Sequence, residues 1–137
     1  MPSEVATALR EALSQVVDAG TAKRVAGSFK LADGTPLAMG GKTGTGDNRI
    51  EAVGSGGRIL SSKAINRTAT FVFYIGDHHF GTLTAFVPGA SAQGFKFTSA
   101  LPVQVLKGMA PILTPYLQPG THTLCQPTAA AEATVRR

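Results

Sequence analysis

The sequence has no tryptophan, a single cysteine, and charge on only 15% of its 137 residues. The lone Cys125 excludes an internal disulfide framework and, by itself, any cysteine-based zinc site. No apolar run approaches the roughly 18–20 residues that a spanning helix needs, so no membrane segment is expected in this chain. The opening Met1-Pro2-Ser3-Glu4 has neither the basic n-region nor the apolar h-region of a secretory signal, which predicts no leader or anchor here. The net charge is +5 with a pI near 9.8, a balance that can mark an anionic partner. Its basic residues are nevertheless scattered: only Lys23-Arg24 and Arg136-Arg137 are adjacent. Nothing resembles an aromatic RNA-stacking motif, so no nucleic-acid partner is expected.

What is present suits one α+β domain. Hydrophobic residues make up 43% of the chain, and sixteen glycines and eight prolines favour turns and strands over a helix bundle. Val5, Leu9, Leu13, Val16 and Val17 recur at helical spacing and predict a helix over 4–19, with Ser3 as cap and Gly20 as stop. Residues 24–29 are read as a short strand, Asp33-Gly34 as a hairpin-type turn and 35–45 as the returning strand. The polar, glycine-rich stretch 46–67 is read as a long loop. The β-branched and aromatic runs 68–75 (TATFVFYI) and 81–87 (GTLTAFV) predict a hairpin closed by residues 76–80. Leu101, Val105 and Met109 mark a second helix from about 99, capped by Ser99 and ended or kinked at Pro111. The expected arrangement is an antiparallel sheet with the N- and C-terminal helices packed on one face. Residues 1–117 form the domain, and 118–137 read as a disordered Pro/Thr/Ala-rich tail.

Gly41-Lys42-Thr43 has the ending of a phosphate-binding loop, but Pro36 occupies the position of that motif's first glycine, and Gly-Thr-Gly-Asp-Asn is a poor helix start. The dinucleotide pattern fails too, with Arg49 at its last glycine. Lys42-Thr43-Gly44-Thr45 on a strand has a different logic. A strand edge offers backbone N–H groups to an oxyanion or a peptide carbonyl. Gly44 removes a side chain that would block close approach. Thr43 and Thr45, two apart, share a face and can hold one substrate carboxylate, and Lys42 adds a favourable positive charge.

The string GGKTGTGDNR, followed by RTATFVFYIGD, FGTLTAFVPG and FTSALPVQVLKGMAPIL, resembles the C-terminal part of the transpeptidase domain of class A (bifunctional) penicillin-binding proteins. K-T-G is the third motif of that family, after S-x-x-K and S-[DY]-N. The resemblance covers residues from about 5 to 117. It implies part of a serine β-lactamase/penicillin-binding transpeptidase-like fold and a role in peptidoglycan crosslinking during cell-wall synthesis. Lys42 and Thr45 would be its catalytic residues: Lys42 orienting a hydroxyl of the second motif, and the Thr45 N–H supplying half an oxyanion hole. Thr43, Gly44 and Thr45 would bind substrate. The implied partners are D-Ala-D-Ala stem peptides and β-lactams, reached through the complete domain. The implied location for the full-length family is the periplasmic face of the inner membrane, with a glycosyltransferase domain upstream. No cofactor is implied.

The departure from the family lies in the nucleophile. None of Ser3, Ser14, Ser28, Ser55, Ser61, Ser62, Ser91 or Ser99 is followed by lysine three residues on or asparagine two residues on, and neither tyrosine heads such a motif. Loss of the nucleophile removes most of a serine hydrolase's rate. The chain taken alone is therefore expected to be inactive, as one lobe of a larger enzyme. The alternative is a non-catalytic remnant or small basic binding module.

Asp77-His78-His79 hints at a metal site. Neighbouring strand residues point to opposite faces, however, and no second acidic or histidine cluster completes a ligand set, so these residues read as a polar hairpin tip and no metal is expected. His122 and Cys125, three apart, are read as lying in the tail. Phe71, Phe73, Phe86, Phe95 and Phe97 are expected in the core.

Overall fold

A computed structural model describes residues 1–119. Its principal elements are α1 (Ser3–Asp18), β1 (Met39–Val53), β2 (Ile59–Ile75), β3 (His79–Pro88) and α2 (Ala100–Leu113). The strands form one antiparallel sheet in the order β1-β2-β3, so the fold is α+β, with β1 and β3 as edges.

Strand alternation places the core. Met39 pairs with Ile75 and Thr43 with Phe71, so Met39, Thr43, Phe71 and Ile75 share one face. Against that face α2 sets Val103, Leu106 and Ala110, at helical spacing. Val17 of α1 joins the same cluster, as do Val25 and Phe29 from the connection between α1 and β1. Phe71 and Val103 are fully buried, each contributing about 1.5–3 kcal/mol of apolar burial. The expectation that both helices pack on one face fails: Tyr74 lies on the sheet face opposite α2, and there it meets the middle of α1, so only the C-terminal end of that helix reaches the α2 side. The Tyr74 hydroxyl donates to the Arg10 carbonyl at 3.2 Å, and the Arg10 guanidinium lies 4.5 Å from the centre of the Tyr74 ring. Gly40 makes this crossing possible, because a Cβ there would lie 2.5 Å from the tyrosine ring.

Several local expectations change. Residues 24–29 form no strand; Lys23–Val25 is a single 3-10 turn. Val25 and Phe29 are both core residues, and Gly27, at φ +66°, breaks an extended path between them. Past them only the bridge Lys30–Pro36 forms, around the Asp33-Gly34 turn, and β1 starts at Met39 rather than 35. The stretch 46–67 is no loop. Nearly all of it continues β1 and β2 as a two-stranded ribbon, broken only by a turn in which Gly56 and Gly57 both have φ +78°. The hairpin between β2 and β3 spans only Gly76, Asp77 and His78, since β3 begins at His79. Helix α2 runs past Pro111 to Leu113, and the Thr114 hydroxyl donates to the Ala110 carbonyl at 2.7 Å. Proline is tolerable so near the end because few helical bonds remain to be lost.

Ser99 occupies the N-cap position of α2 but makes no side-chain capping bond, and Ser3 is not the cap of α1. Helix α1 starts at Ser3 itself, and at α2 it is the Thr98 hydroxyl that accepts the Ala100 N–H, at 3.3 Å. Helix α1 ends at Asp18, two residues before Gly20. Among the phenylalanines, Phe71 is core, Phe73 packs at its margin, and Phe86 and Phe95 are exposed. Gln118 lies on the body of the domain: its side-chain carbonyl accepts the Ala32 N–H at 2.9 Å and its amide donates to the Lys30 carbonyl at 3.2 Å. His122, Cys125 and the remaining tail positions fall outside the described residues.

Candidate functional site

The direction of each backbone group along β1 follows from one hydrogen bond. The Gly76 N–H donates to the Ala38 carbonyl at 2.7 Å, which makes 38 and 76 a hydrogen-bonded antiparallel pair. Such pairs recur at every second residue, so the backbones of Gly40, Lys42 and Gly44 face β2. Those of Gly41, Thr43 and Thr45 face the free edge. The opposite end of the sheet agrees. The Gly89 N–H donates to the Ile65 carbonyl, turning odd-numbered β2 residues toward β3 and even-numbered ones toward β1. The Thr45 N–H and the Thr43 carbonyl thus point away from the sheet. The Lys42 ammonium donates to that same Thr43 carbonyl at 2.8 Å.

Side chains divide by the same parity. Thr43 and Thr45 lie on the face covered by α2; Lys42 and Gly44 lie on the other, with Val72 and Tyr74, where the middle of α1 packs. Thr43 is 9% exposed, and its hydroxyl meets that of Thr21 at 2.6 Å. The Thr45 hydroxyl accepts the Ser99 N–H at 2.8 Å, tying β1 to the start of α2. A hydroxyl carries one proton and two lone pairs. Thr45 uses a lone pair toward Ser99 and keeps its proton to donate. In the Thr21–Thr43 pair one proton bridges the two oxygens and the other remains. Two hydroxyl donors therefore survive beside an edge N–H, with an ammonium on the adjoining residue. That set can hold a carboxylate or an oxyanion.

The glycines are not equivalent. A Cβ at Gly41 would lie 2.3 Å from the Val72 carbonyl oxygen and 2.7 Å from the Phe71 ring, so packing alone demands glycine there. At Gly44 and Gly46 an added Cβ meets nothing within 4 Å. These two leave the strand without side chains on the face opposite Thr43 and Thr45.

The structure thus joins Thr43 and Thr45 on one face, as their spacing predicts, and sets Lys42 across the sheet, reaching back to the edge. Sequence reasoning missed Thr21 and, while placing Ser99 at the start of α2, missed that its N–H serves Thr45; no local signal marks Thr21 as a partner, because the contact depends on how α1 meets β1. At the other end of the strand, Asp77 forms an ion pair with Arg10 at 2.7 Å. Among the described residues no group of three or more His, Cys, Asp or Glu could hold a metal. Comparison with family models, curated proteins and solved structures finds no match to this chain.

Proposed function

We propose that this chain is the carboxylate-binding lobe of a peptidoglycan DD-transpeptidase. The observation that carries the reading is the free edge of β1. Lys42, Thr43, Gly44 and Thr45 stand there with an outward N–H, an outward carbonyl and two spare hydroxyl protons. The resemblance of GGKTGTGDNR and the segments after it to penicillin-binding transpeptidases supports the same reading. An extended peptide ending in D-Ala-D-Ala would lie along β1, its C-terminal carboxylate taken by Thr43 and Thr45 beside Lys42. The Thr45 N–H would face the scissile carbonyl oxygen. The serine nucleophile and its lysine would come from another lobe of the complete domain, which β-lactams would acylate. A periplasmic location belongs to the same proposal.

The test is a titration of the full chain with an acetylated peptide ending in D-Ala-D-Ala, followed by amide shifts. Saturating changes at residues 42–46 are expected. A hydrogen bond to a charged group contributes about 1.5–3 kcal/mol, so Thr45→Val should weaken binding by roughly tenfold or more. No shift at millimolar peptide would refute the reading. The absence of S-x-x-K and S-x-N from these 137 residues favours a second reading, a peptide-binding module without catalysis. The two part on a longer protein carrying the chain: labelled penicillin attaches covalently under the first and not under the second.

A further inference from the structure

We infer that a second, separate groove binds an oxyanion. It lies on the α2 side of the sheet past Thr45, between the root of the β1–β2 ribbon and the 3-10 turn Ala90–Gly94, and encloses about 300 Å³. Asp47, Arg49, Ser62, Arg67, Gln93 and Lys96 line it. Three cationic side chains thus face one carboxylate.

Two of the cations are held in place before any ligand arrives. The Arg67 Nε and Nη2 both donate to the Phe97 carbonyl, at 2.8 and 2.6 Å, and the guanidinium lies 5.5 Å from the centre of the Phe97 ring. The Arg49 Nη1 donates to Asp47 at 2.7 Å and its Nε to the Ser62 hydroxyl at 2.8 Å. A guanidinium carries five N–H donors, so each arginine keeps three for a ligand. A fixed, planar fork suits carboxylate or phosphate oxygens, because little side-chain entropy is lost on binding. Asp47 is offset by Arg49, and Glu51, which accepts the Ser62 hydroxyl at 3.1 Å, adds a second carboxylate beside the groove; three cations against two carboxylates still leave a net positive charge. The volume admits a phosphate or a small dicarboxylate and is at the lower end for small-ligand sites. None of Lys42, Thr43 or Thr45 takes part, and strand rise sets Arg49 roughly 13 Å beyond Thr45. The inference therefore does not depend on the function proposed for the β1 edge.

The experiment titrates the full chain at low salt with inorganic phosphate and, separately, with glutarate, reading backbone amide shifts. Saturating shifts at Arg49, Arg67, Gln93 and Lys96 are expected, with residues 42–46 moving less. Tighter binding of phosphate would assign the site to phosphorylated ligands, and tighter binding of glutarate to acidic peptides or organic acids. Arg67→Gln should abolish the saturable shift. Because Arg67 also fastens Phe97, Lys96→Gln and Arg49→Gln supply variants at exposed side chains, each expected to weaken binding at least threefold. Absence of shifts, shifts spread without saturation over all basic residues, or affinities unchanged in both exposed variants would overturn the inference.

Discussion

Gly41 and Gly44 sit three residues apart on one strand, yet the structure assigns them opposite sensitivities to a single methyl group. In Gly41→Ala the new Cβ would lie 2.3 Å from the Val72 carbonyl oxygen. That oxygen is main chain, so no rotamer change relieves the contact. The other close neighbour, the Phe71 ring at 2.7 Å, is fully buried and has nowhere to swing. Relief requires β1 to move off β2 where the ladder carries Lys42 and Thr43. Overpacking of this kind costs about 1–3 kcal/mol, and with both neighbours rigid the upper figure applies. For a domain of this size that lowers Tm by about 10 °C. Gly44→Ala meets nothing within 4 Å, and the reduced freedom of its unfolded chain offsets any local cost. Its Tm should match the parent or rise slightly, and binding of a D-Ala-D-Ala peptide should fall less than in Thr45→Val, because the methyl lies on the face opposite Thr43 and Thr45. Thermal melts by circular dichroism, paired with the peptide titration, read both effects. A Gly41→Ala melt within about 2 °C of the parent would refute the packing argument, since that shift corresponds to only a fraction of the clash energy. So would a Gly44→Ala variant that loses as much stability as Gly41→Ala.

Phe71→Ala should destabilise the fold by about 3–5 kcal/mol, measured by urea unfolding, because Phe71 is fully buried between the sheet and α2. Asp33 should titrate below its ordinary 3.8 in the folded chain, as the Thr35 backbone N–H and then its hydroxyl stabilise the carboxylate. Its contribution to stability is therefore present above that value and lost as pH falls through the lower folded one; carboxyl-carbon NMR checks the direction, and Thr35→Ala should return the titration toward 3.8. Val72, Phe80 and Phe86 share the sheet face opposite α2 and are 50%, 75% and 56% exposed, so the isolated chain should self-associate. Phe80→Thr should raise the concentration at which light scattering appears, and a sharp monomeric melt of the parent at high concentration would count against this.

The legible parts of the fold were those where burial imposes a period. The runs 68–75 and 81–87 show it because alternate residues turn inward and outward; helix α1 shows the period although only Val17 of its apolar stripe is buried and Val5 and Leu9 stand exposed. The ribbon was illegible for the opposite reason. Its strands lie in water on both faces through most of their length, so no apolar alternation marks them, and Arg49, Ser62 and Glu51 pair across the strands as polar groups. What makes residues 46–67 a ribbon is the continuing backbone ladder, which any non-proline residue can join. Val25 and Phe29 misled for a related reason, since two apolar residues in a short run read as a strand whether they line a sheet or plug a core from a turn.

At the candidate site the division falls between backbone and side chain. That Thr43 and Thr45 share a face, and that an edge strand could offer N–H groups, follows from the period of two alone. Which residues turn their N–H groups outward does not, because parity depends on the pairing register, here read from the Gly76 to Ala38 bond. The hydroxyl partners lie further still from the sequence. Thr21 reaches Thr43 only because α1 ends beside β1, and Ser99 reaches Thr45 only because α2 starts over it. These contacts decide how the site can act. A threonine whose oxygen already accepts a bond has its side-chain rotamer held, whereas a freely rotating side chain would lose more entropy on meeting a carboxylate. Replacing Ser99 by proline deletes the N–H that Thr45 accepts while leaving Thr45 itself in place. If orientation is what Ser99 supplies, that variant should bind a D-Ala-D-Ala peptide more weakly than the parent but better than Thr45→Val. Equal affinities for Ser99→Pro and the parent would show that the Thr45 hydroxyl needs no such help.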